Sequence, residues 1–458
     1  MATPVFNLAR RLASRANDGT VNSFDFVSQD QLNNGEDVSA GLNAMTNYAR
    51  SSGKTACHLG ASTTPYLVGS PVDIGGVTIF GQNGSNLGSV VKNIGTTNIF
   101  EASSHNACLR ALKVEHSGEG NLAVLGSWQD CRIVDCNFSS LDATSSKPMV
   151  YTSGSNTQIW TSEFTNLSPN RYSIFIDRVA GAILINFSVS NNYFGGTGKG
   201  VWVGSQTLQP RPEGLDFSHN RNVLTGGPLL EIQSLYSGRI IGNMFDQGPA
   251  IGALLLTPAG TGILSLQIIG NFMSCPSHQT DGAIIRVYDQ ATGPISGVIV
   301  SGNEIGYGAV GILLSNTSGD FIVEGNYMHD LTSGACISGP DSAVSRVKAA
   351  NNLLSGLNLI NNRTTGVSGK MKTRRSAVVS VDTPTLNGYV NIAHGLHKAP
   401  SKDQILVAAY LLTANSVSVD AMVVAIDATN VTISYAVSGL ANAGNIGVSI
   451  VCDLQPED

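Results

Sequence analysis

A short phrase recurs through the middle of this chain, and it constrains the fold more than any other feature. From about residue 131 it reads RIVDCNF, QIWTSEF, SVSNNYF, DFSHNRN, RIIGNMF, QIIGNFM, IVSGNEI, IVEGNYM and KAANNLL. One position of the phrase is usually asparagine: Cys136, Ser162, Asn192, Asn220, Asn243, Asn271, Asn303, Asn326 and Asn352. The intervals run from 23 to 32 residues and average 27. Ahead of that position the residues alternate, as in Phe187-Ser188-Val189, Leu215-Asp216-Phe217 and Leu266-Gln267-Ile268. Period two with one apolar face is a strand. Variable segments then lead to a second apolar run in each repeat, such as SIFID, GVWVG, LLEIQ, ALLLT and IIRVY. A unit of this length with two or three short strands is one coil of a right-handed parallel β-helix, an all-β solenoid. Its coils stack at about 4.8 Å. The asparagine column then becomes a ladder in which each side-chain amide bonds the next.

Composition agrees. Of 458 residues, 51 are glycine and only 13% are charged. A disordered chain would be highly charged and poor in apolar residues, whereas this one is 42% hydrophobic. Ala, Glu, Lys, Leu and Arg do not dominate, which excludes a helical bundle. The net charge of −6 argues against nucleic acid or an anionic membrane as partner, since both need a basic surface. Seven cysteines without a C-x-x-C pair indicate neither a disulfide framework nor a zinc site. They read as small buried apolar residues of a protein made in a reducing cytosol. No apolar run is long enough to span a membrane, and MATPVFNLARRLASRAND lacks the apolar stretch of a signal peptide.

Upstream of the repeats, GEDVSAGLNAMTNYARSSGK reads as an amphipathic helix with Ala40, Leu42, Met45, Tyr48 and Ala49 on one face. It is placed to cover the open end of the solenoid. The helix and the PYLVGSPVDIGGVTIFGQN that follows resemble the start of the pectate-lyase-like β-helices of bacteriophage tailspikes. Downstream, VVSVDTP, YVNIAHGL, QILVAAYLL, SVDAMVVAI, NVTISYAV and IGVSIVCDL are six strand-like runs that suit a small β-sandwich. Within them NIAHGLHKAP is similar to a phrase of the C-terminal domains of phage tail fibres and tailspikes, and His394 reads as a turn or packing residue. The resemblance implies a homotrimeric phage tailspike, or receptor-binding protein, that recognises and often depolymerises a bacterial surface polysaccharide. It would be made in the host cytoplasm, carried on the virion tail and act at the bacterial surface. On this reading residues 1–30 attach the chain to the virion or a tail adaptor. Residues 31–365 are the β-helix, with a cap over 31–100 and coils from about 101. Residues 366–375 are a linker, and 376–458 are the C-terminal β-sandwich that holds three subunits together or binds carbohydrate.

Chemistry must come from residues on the solenoid wall. The chain has no P-loop, no G-x-G-x-x-G after a strand, no H-E-x-x-H and no G-x-S-x-G, so no cofactor and no metal is expected. Carboxylates remain. Equivalent positions on adjacent coils lie about 4.8 Å apart, and residues i and i+2 about 6.6 Å apart. Such a wall can meet either the separation of about 5 Å used by retaining glycosidases or the 6.5–9.5 Å used by inverting ones.

Aligning the second strand of each repeat gives an outward column of Phe175, Trp202, Glu231, Leu255, Arg286, Leu313 and Ile337. A second column, two residues on, holds Asp177, Gly204, Gln233, Thr257, Tyr288 and Ser315. Phe175 and Trp202 offer faces for sugar rings. Glu231 is the candidate general acid, with Asp177 or Asp216 activating water. By backbone spacing Asp177 and Glu231 are roughly 12 Å apart. The same column is an apolar stripe, which in a soluble protein marks an interface, so it is either where subunits pack or a saccharide site. A second patch places Glu163, Tyr193 and Arg221 at one position of successive coils, as a sugar contact or a solvated face. Asp216 near Arg239 is otherwise a surface ion pair. Arg286 and Tyr288 would suit a polysaccharide lyase acting on a uronic acid. Asp289, Glu304, Glu324 and Asp330 read as solubilising charges.

Overall fold

A computed structural model describes residues 19–82, 88–93, 95–179, 184–206, 211–224, 226–246, 252–276, 282–288, 292–344, 346–355, 358–360, 371–381, 387–394, 399–412, 418–439 and 443–454. The repeat forms a right-handed parallel β-helix. Each coil crosses three walls. The first wall is a sheet of thirteen strands from Thr20–Asn22 to Val347–Ala350. In the coil that begins at Arg132, Arg132–Val134 lies on the first wall, Asn137–Ser140 on the second and Val150–Thr152 on the third. Each pairs in parallel with its counterpart 24 to 26 residues on, in Gln158–Trp160, Glu163–Asn166 and Tyr172–Asp177.

The corner between the first and second walls explains the recurring phrase. Ten residues, from Ala111 to Asn351, stand in the left-handed region there with φ between 50° and 64°. Four of them are glycine and two are asparagine, residue types that tolerate this conformation. The next residue is the asparagine of the ladder. Asn271 donates from Nδ2 to Asn303 Oδ1 at 2.9 Å and to the Ile240 carbonyl at 2.9 Å. Its Oδ1 accepts from the Asn243 backbone N–H and Nδ2, both at 2.9 Å. The pattern runs from Asn192 to Asn352. Ser162 and Cys136 extend it more weakly: the Cys136 N–H donates to Ser162 Oγ at 3.1 Å. From Asn192 to Asn352 each coil thereby pairs a buried amide with its neighbours.

The interior is apolar and layered. Phe138, Phe164 and Phe194 stack with centroids 5.4 and 5.1 Å apart and planes within 11°. Six of the seven cysteines are buried and none forms a disulfide among the described residues. The N-terminal helix, Ser39–Ser51, covers the end of the solenoid with Leu42, Met45, Thr46 and Ala49 buried. Ala40, expected on that face, is exposed; Val38 and Ser39 are buried in its place. Thr20–Asn22 pairs with Ala56–His58 as the first rung, so residues 20–22, read from sequence within the attachment segment, belong to the solenoid wall. Residues 1–18 of that segment lie outside the described residues.

The C-terminal region is a sandwich of two antiparallel sheets. One orders Met371–Val381, Gly444–Leu454 and Ile405–Leu411; the other orders Asn387–Ala393, Asn430–Ser438 and Ser418–Ile426. Val431, Ile433, Val437, Ile446, Val448 and Ile450 fill the space between them. His394 is buried and its N–H donates to the Thr429 carbonyl, which makes it a packing residue. The expected linker over 366–375 meets the described structure only at its end, and there it is strand. Met371–Val381 pairs in parallel with Asn352–Ser355 on one side and antiparallel with Gly444–Leu454 on the other. One strand is thus both the last rung of the solenoid and a strand of the sandwich.

Candidate functional site

The third wall carries the outward column read from sequence. Its register runs Tyr151, Phe175, Trp202, Glu231, Leu255, Arg286, Leu313 and Ser338. Ile337 is a correction: it pairs with Ile312 and points into the core, and Ser338 takes the outward place. The column is also not an exposed apolar stripe, because its rings cover one another. Tyr151 stacks on Phe175 at 6.2 Å, and Phe175 on Trp202 at 4.1 Å with planes 6° apart. Phe175 is 8% exposed and Trp202 6%. Gly204 is required beside them, since a Cβ there would lie 2.8 Å from the Trp202 ring. Tyr172 packs its edge against Phe175 at 5.7 Å, and Lys199 Nζ sits 4.9 Å from the Tyr172 centroid.

Two carboxylates flank this stack. Asp177, 5% exposed, accepts from the Tyr151 hydroxyl at 3.2 Å and from the Gln206 N–H at 3.0 Å. Glu231 accepts from the Tyr172 hydroxyl and from Thr257 Oγ1, the latter at 3.4 Å. Burial, then the neighbouring Asp177, pushes the Tyr151 hydroxyl up to about 12. Burial and the Glu231 carboxylate push Tyr172 higher still. Both phenols therefore stay protonated and donate. Glu231 reaches back two coils to Tyr172, at the end of the strand opposite to Asp177. The structure brings Phe175, Trp202, Asp177 and Glu231 to one face and adds Tyr151, Tyr172 and Lys199. Tyr151 was within reach of the sequence by extending the column one coil back. The Tyr172–Glu231 contact spans two coils and leaves no local signal.

Asp216 does not join them. Its strand, Glu213–Ser218, belongs to the first wall, whereas Glu231 stands on the third. Asp216 Oδ2 lies 3.8 Å from Arg239 in a polar groove of about 360 Å³. Asn186, Gly214, Ser237, Ser265 and Gly297 stack left-handed residues along that groove and kink the wall on five coils. Arg286 lies two coils beyond Glu231, with its guanidinium 5.7 Å from the Tyr288 centroid and Nε buried without a hydrogen-bond partner. Asp289 lies outside the described residues.

An open groove follows the corner between the first and second walls. It has a volume of about 800 Å³ and is lined by Glu163, Tyr193, Arg221, Met244 and Phe272, which share one register position on five successive coils. Glu163 is oriented by the Asn137 amide at 3.0 Å. Gly242 and Gly270 leave the groove floor bare at the corner. Met244 and Phe272 escape sequence reading because the column becomes apolar there without leaving the surface. Among the described residues no His, Cys, Asp or Glu side chains cluster to hold a metal ion, and no helix is long and apolar enough to cross a membrane.

No family model and no curated protein sequence matches the chain. Solved structures do. A double mutant of the tailspike protein of E. coli bacteriophage HK620 aligns over 97% of this chain and 95% of its own, with a TM-score of 0.52 and 13% identity. The same tailspike in complex with a pentasaccharide aligns over the same shares with a TM-score of 0.50 and 13% identity. The A-module of the Azotobacter vinelandii mannuronan C-5 epimerase AlgE4 aligns over 76% of this chain and 99% of its own, with a TM-score of 0.52 and 15% identity. With a capping helix at one end of its coils and a sandwich at the other, the chain has the right-handed parallel β-helix fold of the phage tailspikes.

Proposed function

We propose that the chain is a tailspike-like protein that binds a bacterial surface polysaccharide along its solenoid and hydrolyses it as an endoglycosidase. The observation that carries the binding reading is the groove of about 800 Å³, which follows the helix axis for five coils and sets Glu163, Tyr193, Arg221, Met244 and Phe272 at one register position. Such a surface suits a polymer: aromatic faces stack on sugar rings, and charged groups bond hydroxyls. Two similar folds, the pentasaccharide-bound tailspike and the mannuronan epimerase, belong to proteins of polysaccharide chemistry. For hydrolysis we assign Glu231 as general acid and Asp177 as the group that activates water, on the third wall and so apart from that groove. Chemistry of this kind needs a carboxyl pair with unequal surroundings, and Glu231 is less buried than Asp177.

The burial of Asp177 and its bonds to Tyr151 and Gln206 favour a second reading, a receptor-binding protein without chemistry. Incubation with capsule or O-antigen from candidate hosts separates the two. Shorter chains with new reducing ends and no ultraviolet-absorbing unsaturated end are the outcome of hydrolysis. Binding without shortening makes the chain an adhesin. An unsaturated end moves the chemistry to a lyase, with Arg286 and Tyr288 to be tested first. The assembly we propose is a homotrimer on a phage tail, joined to an adaptor by the N-terminus. The exposed apolar side chains of the sandwich support the trimer.

A further inference from the structure

The outward column of the second wall continues past the groove, from Phe272 to Glu304 and Tyr327. There the loop that separates second and third walls in earlier coils is replaced by a bend within single long strands, Glu304–Leu313 and Tyr327–Ser338. The bend places Tyr307 at φ 57° and Asp330 at φ 49°. Neither is glycine, and a bulky residue in this region is uncommon and costs energy. Between them sits His329, 5% exposed. Its Nδ1 lies 2.8 Å from Asp330 Oδ2 and its Nε2 3.3 Å from Glu304 Oε1. Tyr327 stacks on the imidazole at 4.6 Å and Tyr307 meets it edge-on at 5.1 Å. Gly306 provides the seat, since a Cβ there would lie 2.5 Å from the ring. Glu304 and Asp330, read from sequence as solubilising charges, instead converge on one histidine.

The cluster presents a defined chemistry to solvent. Both tyrosine rings are exposed, and each carboxylate lies against the His329 ring through a single oxygen. Two aromatic faces with free acceptor oxygens beside them match a pyranose, whose apolar face stacks and whose hydroxyls donate. The acceptor set is anionic, so it opposes sugars that carry a carboxylate. We infer that Glu304, Tyr307, Tyr327, His329 and Asp330 form a binding subsite for an uncharged or amino-bearing sugar unit, with His329 as the positioning residue. This inference rests on the polysaccharide-binding reading above and extends it. From Glu163 to Tyr327 the column spans six coil spacings, roughly 29 Å, so one polymer chain laid along the wall reaches both the groove and this subsite.

The test titrates the full-length protein and the variants E304Q, D330N and Y327A onto two immobilised classes of bacterial polysaccharide, neutral and uronate-bearing. Asparagine tolerates the left-handed backbone, so D330N isolates the charge; thermal melting of each variant checks the fold. The expected result is preferential binding of neutral polymers. Each carboxylate variant is weakened about tenfold, the scale of one hydrogen bond to a charged group, and Y327A at least as much, with melting unchanged for D330N. The double variant E304Q/D330N gains on uronate polymers relative to neutral ones. Binding unchanged in all three variants but lost in Arg221→Ala overturns the subsite and leaves the polysaccharide reading standing. A wild-type preference for uronate polymers that E304Q and D330N do not alter also overturns it. Wild-type protein that binds neither class overturns both. If Y327A melts early, D330N alone decides.

Discussion

Single residues set the corner on which every coil turns. In the ladder, each asparagine amide replaces backbone partners that a turn would otherwise leave unpaired. Replacing Asn271 by alanine removes the acceptor of the Asn243 backbone N–H and Nδ2 and the donor to Ile240. At about 1–3 kcal/mol for each buried group left unsatisfied, the expected loss in urea unfolding is about 3 kcal/mol or more. Serine at the same place should cost less, because Ser162 already serves the ladder through its hydroxyl. The ladder was legible because its asparagine recurs on coil after coil. His116 was not, since nothing near it in sequence marks it as buried. Its Nδ1 accepts from the Gly118 N–H at 2.8 Å and its Nε2 faces the Thr97 carbonyl at 3.1 Å, which fixes the neutral tautomer. Burial, with the Arg171 cation nearby, holds its pKa below the ordinary 6.5, and burial does the same to His394. The unfolded chain therefore takes up protons that the folded chain refuses. Stability from this source is complete above about pH 6.5 and is lost as pH falls through the lowered folded-state values. Melting at pH 5 is expected below melting at pH 7.5, and His116→Gln should remove part of that difference.

At the scale of the element, the strands Tyr172–Asp177, Lys199–Gly204 and Leu230–Ile232 carry both a packing role and the proposed chemistry. Trp202→Ala deletes a ring stacked at 4.1 Å on Phe175 and mostly buried, and should cost about 3–5 kcal/mol. Chemistry is separable from packing by isosteric changes. Glu231→Gln should lower the hydrolysis rate by about 10²–10⁴-fold, the contribution of a positioned proton donor, while leaving polysaccharide binding and melting unchanged. Tyr172→Phe removes the donor to Glu231 without a change of volume, so it should shift the pH–rate profile. A profile unmoved in Tyr172→Phe, with full activity in Glu231→Gln, would remove this pair from the mechanism. Periodicity made the strands readable, because inward and outward positions follow from alternation and register. The site was readable only in part. Columns give which residues share a face, but not that Tyr172 reaches Glu231 across two coils. Rings and carboxylates also lean along the helix axis, and a one-dimensional pattern does not encode that lean.

For the whole molecule, the question is what covers the sandwich. Its two sheets bury one face each against the other, as alternation dictates. The opposite faces carry large apolar side chains among the polar ones. On the first sheet Leu406 is 73% exposed, and Val378 and Tyr410 face each other across Gly447; on the second, Tyr389 is 74% exposed and Met422 stands next to it across Ser434. Large apolar side chains on both outer faces of a small domain mark an interface. The strand Met371–Val381 ties that domain to the last coil on one side and to Gly444–Leu454 on the other, so an interface made by the sandwich would also align the solenoids. Closed three-fold symmetry would let the outer face of one sheet meet that of a neighbour without leaving an open edge. Leu406→Lys combined with Met422→Lys puts charge in the centre of both faces without touching the buried core. Sedimentation should show a trimer for the wild-type chain and a monomer for this variant, and the variant should lose resistance to heat and detergent. The far-ultraviolet circular dichroism of the solenoid should stay unchanged. A wild-type monomer, or a trimer indifferent to both lysines, would place the assembly surface elsewhere and return the stacked third wall around Phe175 and Trp202 as its next location.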